Sequence, residues 1–323
     1  MLLALAEHEN GELSKLSLEM LTFCCGLAGR MAAPLEAVLV GEEAQPLAPA
    51  LAAYGVSRVH LVIHEQLTSY APVAWAASLA QIAAAQGAQA IVAAGSEHGN
   101  EVMAHLAASG DLPLAVNCIA VQPGDEYQVT RLRWGGSLLE EARLAGAPKL
   151  FTMAPHAHEA TTLKTPIPLA VETFTPALAA GDLRVRVARR EKTGGDKLSL
   201  TDARLVIGGG RGVGSSEGFA VLEELAALLG GVVGCSRAVT SAGWRPHSDQ
   251  IGQTGTRIAP DLYIACGVSG AIQHMVGAKG AKRILAINTD RQAQIVALAD
   301  YAVIGDLHQV IPAISAAVRQ SKK

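Results

Sequence analysis

Two α/β domains, each built on a largely parallel sheet, are predicted by this sequence of 323 residues. Three observations carry that expectation. Short apolar runs alternate with stretches of helical periodicity along both halves of the chain. Many of those runs end in Gly, Ser, Asn or Asp, which suits strands of a parallel sheet where the chain turns toward a helix. Ala and Gly dominate while aromatics make up only 4%, a profile that suits helices packed closely on sheets. One core serves roughly 100–200 residues, so this length implies two.

The elements follow in order. Residues 2–6 are a first apolar run, and His8-Glu9-Asn10-Gly11 reads as a turn. Helical spacing covers 14–29. Strands are predicted over 35–40, 59–63 and 89–94. A helix over 71–86 starts at the Ala71-Pro72 break. A second helix, over 101–109, follows the loop Gly95-Ser96-Glu97-His98-Gly99-Asn100. Beyond 116 the character changes. Residues 116–121, 127–134, 150–153 and 183–190 read as strands with few helices between them, extending the sheet or crossing to a neighbour. The charged, aperiodic run RREKTGGDKLS at 189–199 reads as linker. The predicted organisation is a domain over 1–190, a linker over 191–200 and a second domain over 201–323.

Composition narrows the function classes. Twenty-six basic and 29 acidic residues leave a formal charge of −3, which gives no basic surface for nucleic acid. The apolar stretch at 79–92 is broken by Gln and Gly, short of the ~18 residues of a membrane span. The N-terminal apolar segment is short and lacks a basic flank, so no signal peptide is expected. The expected location is cytoplasmic, or the mitochondrial matrix for a processed precursor. Five cysteines (Cys24, Cys25, Cys118, Cys235, Cys266) show no CxxC spacing, so no disulfide framework, zinc site or iron–sulfur cluster is expected.

The second domain carries the chemistry. A strand over 203–207 runs into Gly208-Gly209-Gly210-Arg211-Gly212-Val213-Gly214-Ser215-Ser216, and a helix follows over 217–229. Such a loop either brings backbone N–H groups and Arg211 to a pyrophosphate or makes a tight structural turn. A strict GxGxxG is absent. The next strand, 231–234, ends in Cys235-Ser236-Arg237 without the acidic residue that holds an adenosine ribose, which weakens a standard NAD reading. Strands over 261–266, 282–287 and 301–304 end in Gly267-Val268-Ser269-Gly270, Asn288-Thr289-Asp290 and Gly305-Asp306-Leu307. The loop Gln250-Ile251-Gly252-Gln253-Thr254-Gly255-Thr256 adds hydrogen-bonding groups. Ligands of open parallel sheets bind at such strand ends, so the convergence points to a nucleotide site.

Residues 203–316 resemble the FAD domain of the alpha subunit of electron-transferring flavoproteins. The resemblance rests on GGGRGVGSSEGF (208–219), VGCSRAVTSAGW (233–244), QIGQTG (250–255), APDLYIACGVSGAIQHMVG (259–277), AIN (286–288) and ADYAVIGDL (299–307). The first domain resembles the same family more loosely. The likeness departs at Ser241, where the family often has Asp. It implies a nucleotide-hydrolase-like α/β domain followed by an FAD domain, with a beta subunit completing a heterodimer. It further implies that Arg211, Ser236, Ile251, Gly252, Gln253, Thr254, Ser269, Gly270, Ala271, Ile272, Gln273, His274, Asn288, Asp306 and Leu307 contact FAD. On the same basis, Arg237 lies over the flavin ring, Thr254 bonds near N5 and His274 sits near the C2 carbonyl. Asn288 and Asp306 hold the adenosine end. A flavin that gains an electron gains negative charge, so a fixed cation and a donor beside it raise its potential.

The expected function is electron transfer rather than catalysis on a substrate of its own. Flavin dehydrogenases such as acyl-CoA dehydrogenases would donate electrons, and a quinone reductase would accept them. The alternatives are a bifurcating relative with a second FAD in the beta subunit, and an NAD-dependent enzyme. The latter would use His247 or His274 as acid or base.

Overall fold

The structure is a computed structural model and describes residues 1–187, 199–201 and 203–322. Contacts divide the chain into two compact units, residues 1–191 and 192–323. The predicted linker over 191–200 falls largely outside the described residues.

The first unit holds a nine-stranded sheet. Its parallel strands are β1 (Leu2–Leu5), β4 (Leu35–Val40), β5 (Val56–Val62), β6 (Ala90–Ala94), β7 (Leu114–Gln122), β10 (Lys149–Met153) and β11 (Ala170–Phe174). β8 (Tyr127–Arg133) and β9 (Leu138–Leu144) add an antiparallel hairpin, giving the order β11-β5-β4-β1-β6-β10-β7-β8-β9. A small hairpin, β2 (His8–Glu9) with β3 (Glu12–Leu13), turns at Asn10-Gly11. β1, β4, β6 and β10 are buried at every residue, as central strands covered on both faces must be. Helices α1 (Lys15–Arg30), α2 (Pro72–Gln86) and α3 (Glu97–Gly110) cover the faces.

Several elements differ from the expectation for identifiable reasons. α3 starts four residues early, because Ser96 Oγ accepts from the Gly99 N–H at 2.7 Å and caps the first turn. Residues 42–54 wind as 3₁₀ turns, since Pro46 and Pro49 deny α-helical hydrogen bonds. β9 and β11 expose most of their residues, so neither carries the apolar run by which a buried strand is recognised. Residues 183–187 form turns and bends rather than the predicted strand, whose remainder lies outside the described residues.

The second unit is a five-stranded, wholly parallel sheet. Its strands are β12 (Leu205–Gly209), β13 (Val232–Cys235), β14 (Leu262–Cys266), β15 (Ile284–Asn288) and β16 (Tyr301–Ile304), in the order β13-β12-β14-β15-β16. Helices α4 (Ala220–Leu229), α5 (Arg237–Ser241), α6 (Ile272–Ala278), α7 (Gln294–Leu298) and α8 (Leu307–Ser321) follow the strands. Alternation along β12 sends Ile207 into one core with Phe219, Leu222 and Ile311, and Val206 into another with Tyr263, Ile251 and Ile295. Each fully buried side chain of this size contributes about 2 kcal/mol. The mixed α/β class, with a separate parallel sheet in the C-terminal region, is as the sequence predicts. The chain leaves β12 first toward β13 and then toward β14, so the carboxyl ends of β12 and β14 flank a crevice.

Candidate functional site

A cavity of about 820 Å³ opens at that crevice and draws lining residues from the ends of all five strands. Its size is near the upper end for small-molecule sites. Arg211 and Gly212 follow β12, Ser236 and Arg237 follow β13, and Val268 and Ser269 follow β14. Asn288 to Asp290 end β15, and Gly305 to Leu307 follow β16. Of the predicted residues, Arg211, Ser236, Arg237, Ile251, Gly252, Gln253, Thr254, Ser269, Ala271, Gln273, His274, Asn288, Asp306 and Leu307 line this one cavity. Gly270 and Ile272 do not. Gly270, at φ +80°, packs against the backbone where α7 starts, and Ile272 is 67% exposed on α6.

The glycine-rich loop serves packing before ligand contact. The Gly210 N–H donates to Cys266 O at 2.8 Å and the Gly212 N–H to Gly267 O at 3.1 Å, so neither is free for a phosphate. A Cβ on Gly212 would stand 2.7 Å from the Gly267 Cα, and Gly267 itself lies at φ +62°. These glycines let the β12 and β14 loops touch, which sets the cavity floor.

What the loop leaves over is positive. Arg211 and Arg237 line the cavity, exposed, and neither makes an ion pair among the described residues. No side chain caps the starts of α5, α6 or α7, at Ser236, Ala271 and Ala293. Two unpaired guanidinium groups and uncapped helix starts suit a ligand carrying phosphates. Asp306 differs, since its carboxylate caps α8 by accepting from the His308 N–H at 2.9 Å. Asn288 is also engaged, donating to Val268 O at 2.8 Å and accepting from the Asp290 N–H at 2.9 Å. It ties two strand-end loops together.

Two buried groups tune the rest. Gln250, only 2% exposed, donates through Nε2 to Thr254 Oγ1 at 2.9 Å and accepts from Thr240 Oγ1 at 2.7 Å. It thereby links α5, which begins at Arg237, to Thr254 and leaves the Thr254 hydroxyl proton free to donate. His274 is buried, its Nε2 2.7 Å from the Tyr263 hydroxyl. Its Nδ1 is buried and makes no hydrogen bond of acceptable geometry. Burial pushes its pKa down to about 4, opposed in part by the Ile251 backbone, so the ring is neutral at pH 7. A cavity with two unpaired arginines and an unsatisfied buried imidazole nitrogen fits a dinucleotide that brings phosphates and ring acceptors.

Comparison with known proteins decides the family. The profile of the electron transfer flavoprotein domain matches residues 2–179, and that of the electron transfer flavoprotein FAD-binding domain matches residues 199–279. The chain is 33% identical over 324 residues to the electron transfer flavoprotein subunit alpha of Clostridium acetobutylicum, covering 97% of this chain and 95% of that one. It is 31% identical over 320 residues to that of Thermoanaerobacterium thermosaccharolyticum, covering 98% and 97%. For the Mycobacterium tuberculosis subunit the identity is 36% over 327 residues, covering 99% and 98%. The chain belongs to the electron transfer flavoprotein alpha-subunit family.

The cavity lies in the unit that contains the family's FAD-binding domain, and FAD is the cofactor this domain takes. Sequence reasoning missed Gln250 and the Gln292–Gln294 stretch that also line it. Gln250 opens the quoted QIGQTG segment, so its place was signalled but its bond to Thr254 was not. Nothing in the sequence marked Gln292. Cys235 and Cys266 end β13 and β14 just before lining residues Ser236 and Gly267, and burial pushes both thiols up to about 12. Among the described residues no helix is long and apolar enough to cross a membrane.

The first unit has its own cavity, about 490 Å³, at the carboxyl ends of β1 and β4. It is lined by Glu7, His8, Glu43, Tyr70, Trp75 and His98 among others. Here several polar groups are spent on one another, although the buried Trp75 Nε1 has no hydrogen-bond partner. Glu7 Oε1 accepts from Ser96 Oγ at 2.7 Å, Tyr70 donates to Glu101 at 2.7 Å, and the Tyr70 ring stacks on His98 with centroids 3.8 Å apart.

Proposed function

We propose that the chain is the FAD-carrying subunit of a heterodimeric electron carrier. It pairs with a beta subunit, takes electrons from flavin dehydrogenases such as acyl-CoA dehydrogenases, and passes them to a quinone reductase. Its working place is the cytoplasm, or the matrix for a mitochondrial form. The observation that carries this reading is a cavity spanning five strand ends, lined by two arginines that make no ion pair among the described residues. Of the two histidines an NAD-dependent reaction would call on, His274 is held neutral by burial and is a poor proton acceptor at pH 7, and His247 does not line the cavity.

FAD supplies the one- and two-electron chemistry when bound, and the protein supplies binding and electrostatics. In this reading Arg211 and the backbone around Ser236 and Ser269 hold the phosphates. Asn288 and Asp306 lie at the adenosine end. Arg237, Thr254 and His274 face the ring system, where a cation and two neutral donors favour added negative charge. Ile251 to Gln253, Ala271, Gln273 and Leu307 shape the walls.

The test is an absorption spectrum of the chain purified with its beta subunit, followed by stepwise dithionite reduction. Flavin bands near stoichiometric occupancy support the reading. A colourless protein after FAD reconstitution removes it, and retention of NAD points to the enzyme alternative. In R237A the midpoint potential falls by about 60 mV for each 1.4 kcal/mol of lost stabilisation. An unchanged potential removes Arg237 from the ring.

A further inference from the structure

His274 has two ring nitrogens and the fold occupies one of them. Nε2 lies 2.7 Å from the hydroxyl of Tyr263, a residue of β14 with 0% exposure. Room for that phenol is made by Gly208 of β12, where any Cβ would collide with the Tyr263 hydroxyl. Nδ1 is buried and unpaired, on a residue that lines the cofactor cavity.

The direction of the shared hydrogen bond follows from counting orphans. If Nε2–H donated to the phenol oxygen, the phenol proton would have no acceptor among the described residues. Nδ1 would then be a bare, buried lone pair. If the phenol donates to Nε2, the phenol proton and Nε2 are both satisfied, and the Nδ1–H is the single group left over. Burial also holds Tyr263 protonated, so its proton is always present to be donated.

We infer that Tyr263 is a positioning residue: its hydroxyl donates to Nε2 of His274, fixes the Nδ1–H tautomer and so presents one neutral donor to an acceptor on the bound cofactor. The inference rests on the FAD reading for the identity of that acceptor. It assigns His274 the role of an oriented dipole rather than a cation, with Gly208 and Tyr263 as its support.

The tautomer is read directly by nitrogen-15 NMR of histidine-labelled full-length chain, in complex with its beta subunit, with and without FAD. The expected result is a pyrrole-type Nδ1 and a pyridine-type Nε2 in the wild type. In Tyr263→Phe the population moves toward Nε2–H and FAD binds about fivefold more weakly, the worth of one ordinary hydrogen bond. Adding Tyr263→Phe to a His274→Gln background weakens binding no further, since Tyr263 acts through His274. An Nε2–H ring in the wild type overturns the inference. So does the same fivefold loss in the His274→Gln background, which marks Tyr263 as packing alone. A chain that retains no FAD overturns the functional reading and the cofactor half of this inference together. The tautomer in that same sample shows whether the Tyr263 half stands.

Discussion

The two parallel sheets meet the same topological problem and resolve it in opposite ways. Each reverses strand order at its first strand and opens a crevice there, at β1 in one unit and at β12 in the other. At the first crevice the chain fills most of its own binding positions, leaving the buried Trp75 Nε1 without a partner. Ser96 caps α3, Glu7 sits on the Ser96 hydroxyl as an external anion would, and Tyr70 closes over His98. At the second crevice α5, α6 and α7 start without side-chain caps, two arginines stand unpaired and a buried imidazole nitrogen has no partner. Each crevice keeps one buried unpaired ring nitrogen, so what separates them is the unpaired positive charge and the uncapped helix starts of the second.

Substitutions at the two crevices break or sharpen that contrast. The largest effect is expected for Gly267→Ala. Positive φ and a Cβ placed 2.7 Å from the Gly212 backbone combine strain with overpacking, about 4 kcal/mol in all. FAD retention and the thermal midpoint should both fall. Retention of full flavin occupancy would show that the loop contact does not set the cavity floor.

Glu7→Gln probes the self-filled crevice. Burial raises the Glu7 pKa from 4.5 to about 7, with the Ser96 hydrogen bond opposing. The folded state thus binds the proton more tightly than the unfolded state, and stability is lost as pH rises from about 4.5 through 7. The neutral amide removes that penalty while still accepting from Ser96. It should match the wild type at pH 4 and exceed it by about 3 kcal/mol at pH 8 in denaturant titrations. Equal stability at pH 8 would mean that Glu7 ionises without cost.

Ser96→Ala should have the smallest effect. Loss of the cap costs about 1 kcal/mol of stability and leaves FAD affinity unchanged. A change in affinity would show that the first crevice influences the second.

The fold was largely legible because buried parallel strands are written as uninterrupted apolar runs. Ala90 to Ala94 is such a run, AIVAA, and the strand predicted over 89–94 is found over those residues. Exposed edge strands such as Ala170–Phe174 carry no such signature, since water satisfies what they do not bury. Residues that line the site were legible as polar and small residues placed just after strands. Their division of labour was not. Gly210 and Gly212 read as a phosphate cradle, yet their N–H groups are taken by Cys266 and Gly267, a contact between strands far apart in sequence. Ile272 follows Ala271 in the chain but faces solvent from α6, because neighbouring residues of a helix point in different directions. Gln250 matters through Thr240 and Thr254, and such a bond exists only once both loops are folded.

The two cysteines that end β13 and β14 bear on how the site meets oxidants. Burial holds the Cys235 and Cys266 thiols well above the ordinary thiol range, so both stay protonated at pH 7. Thiols so silenced neither attack peroxides nor exchange with disulfides. Burial thus switches off the sulfur chemistry at these two strand ends, and the sheet behind the cavity is inert backing rather than a reactive wall.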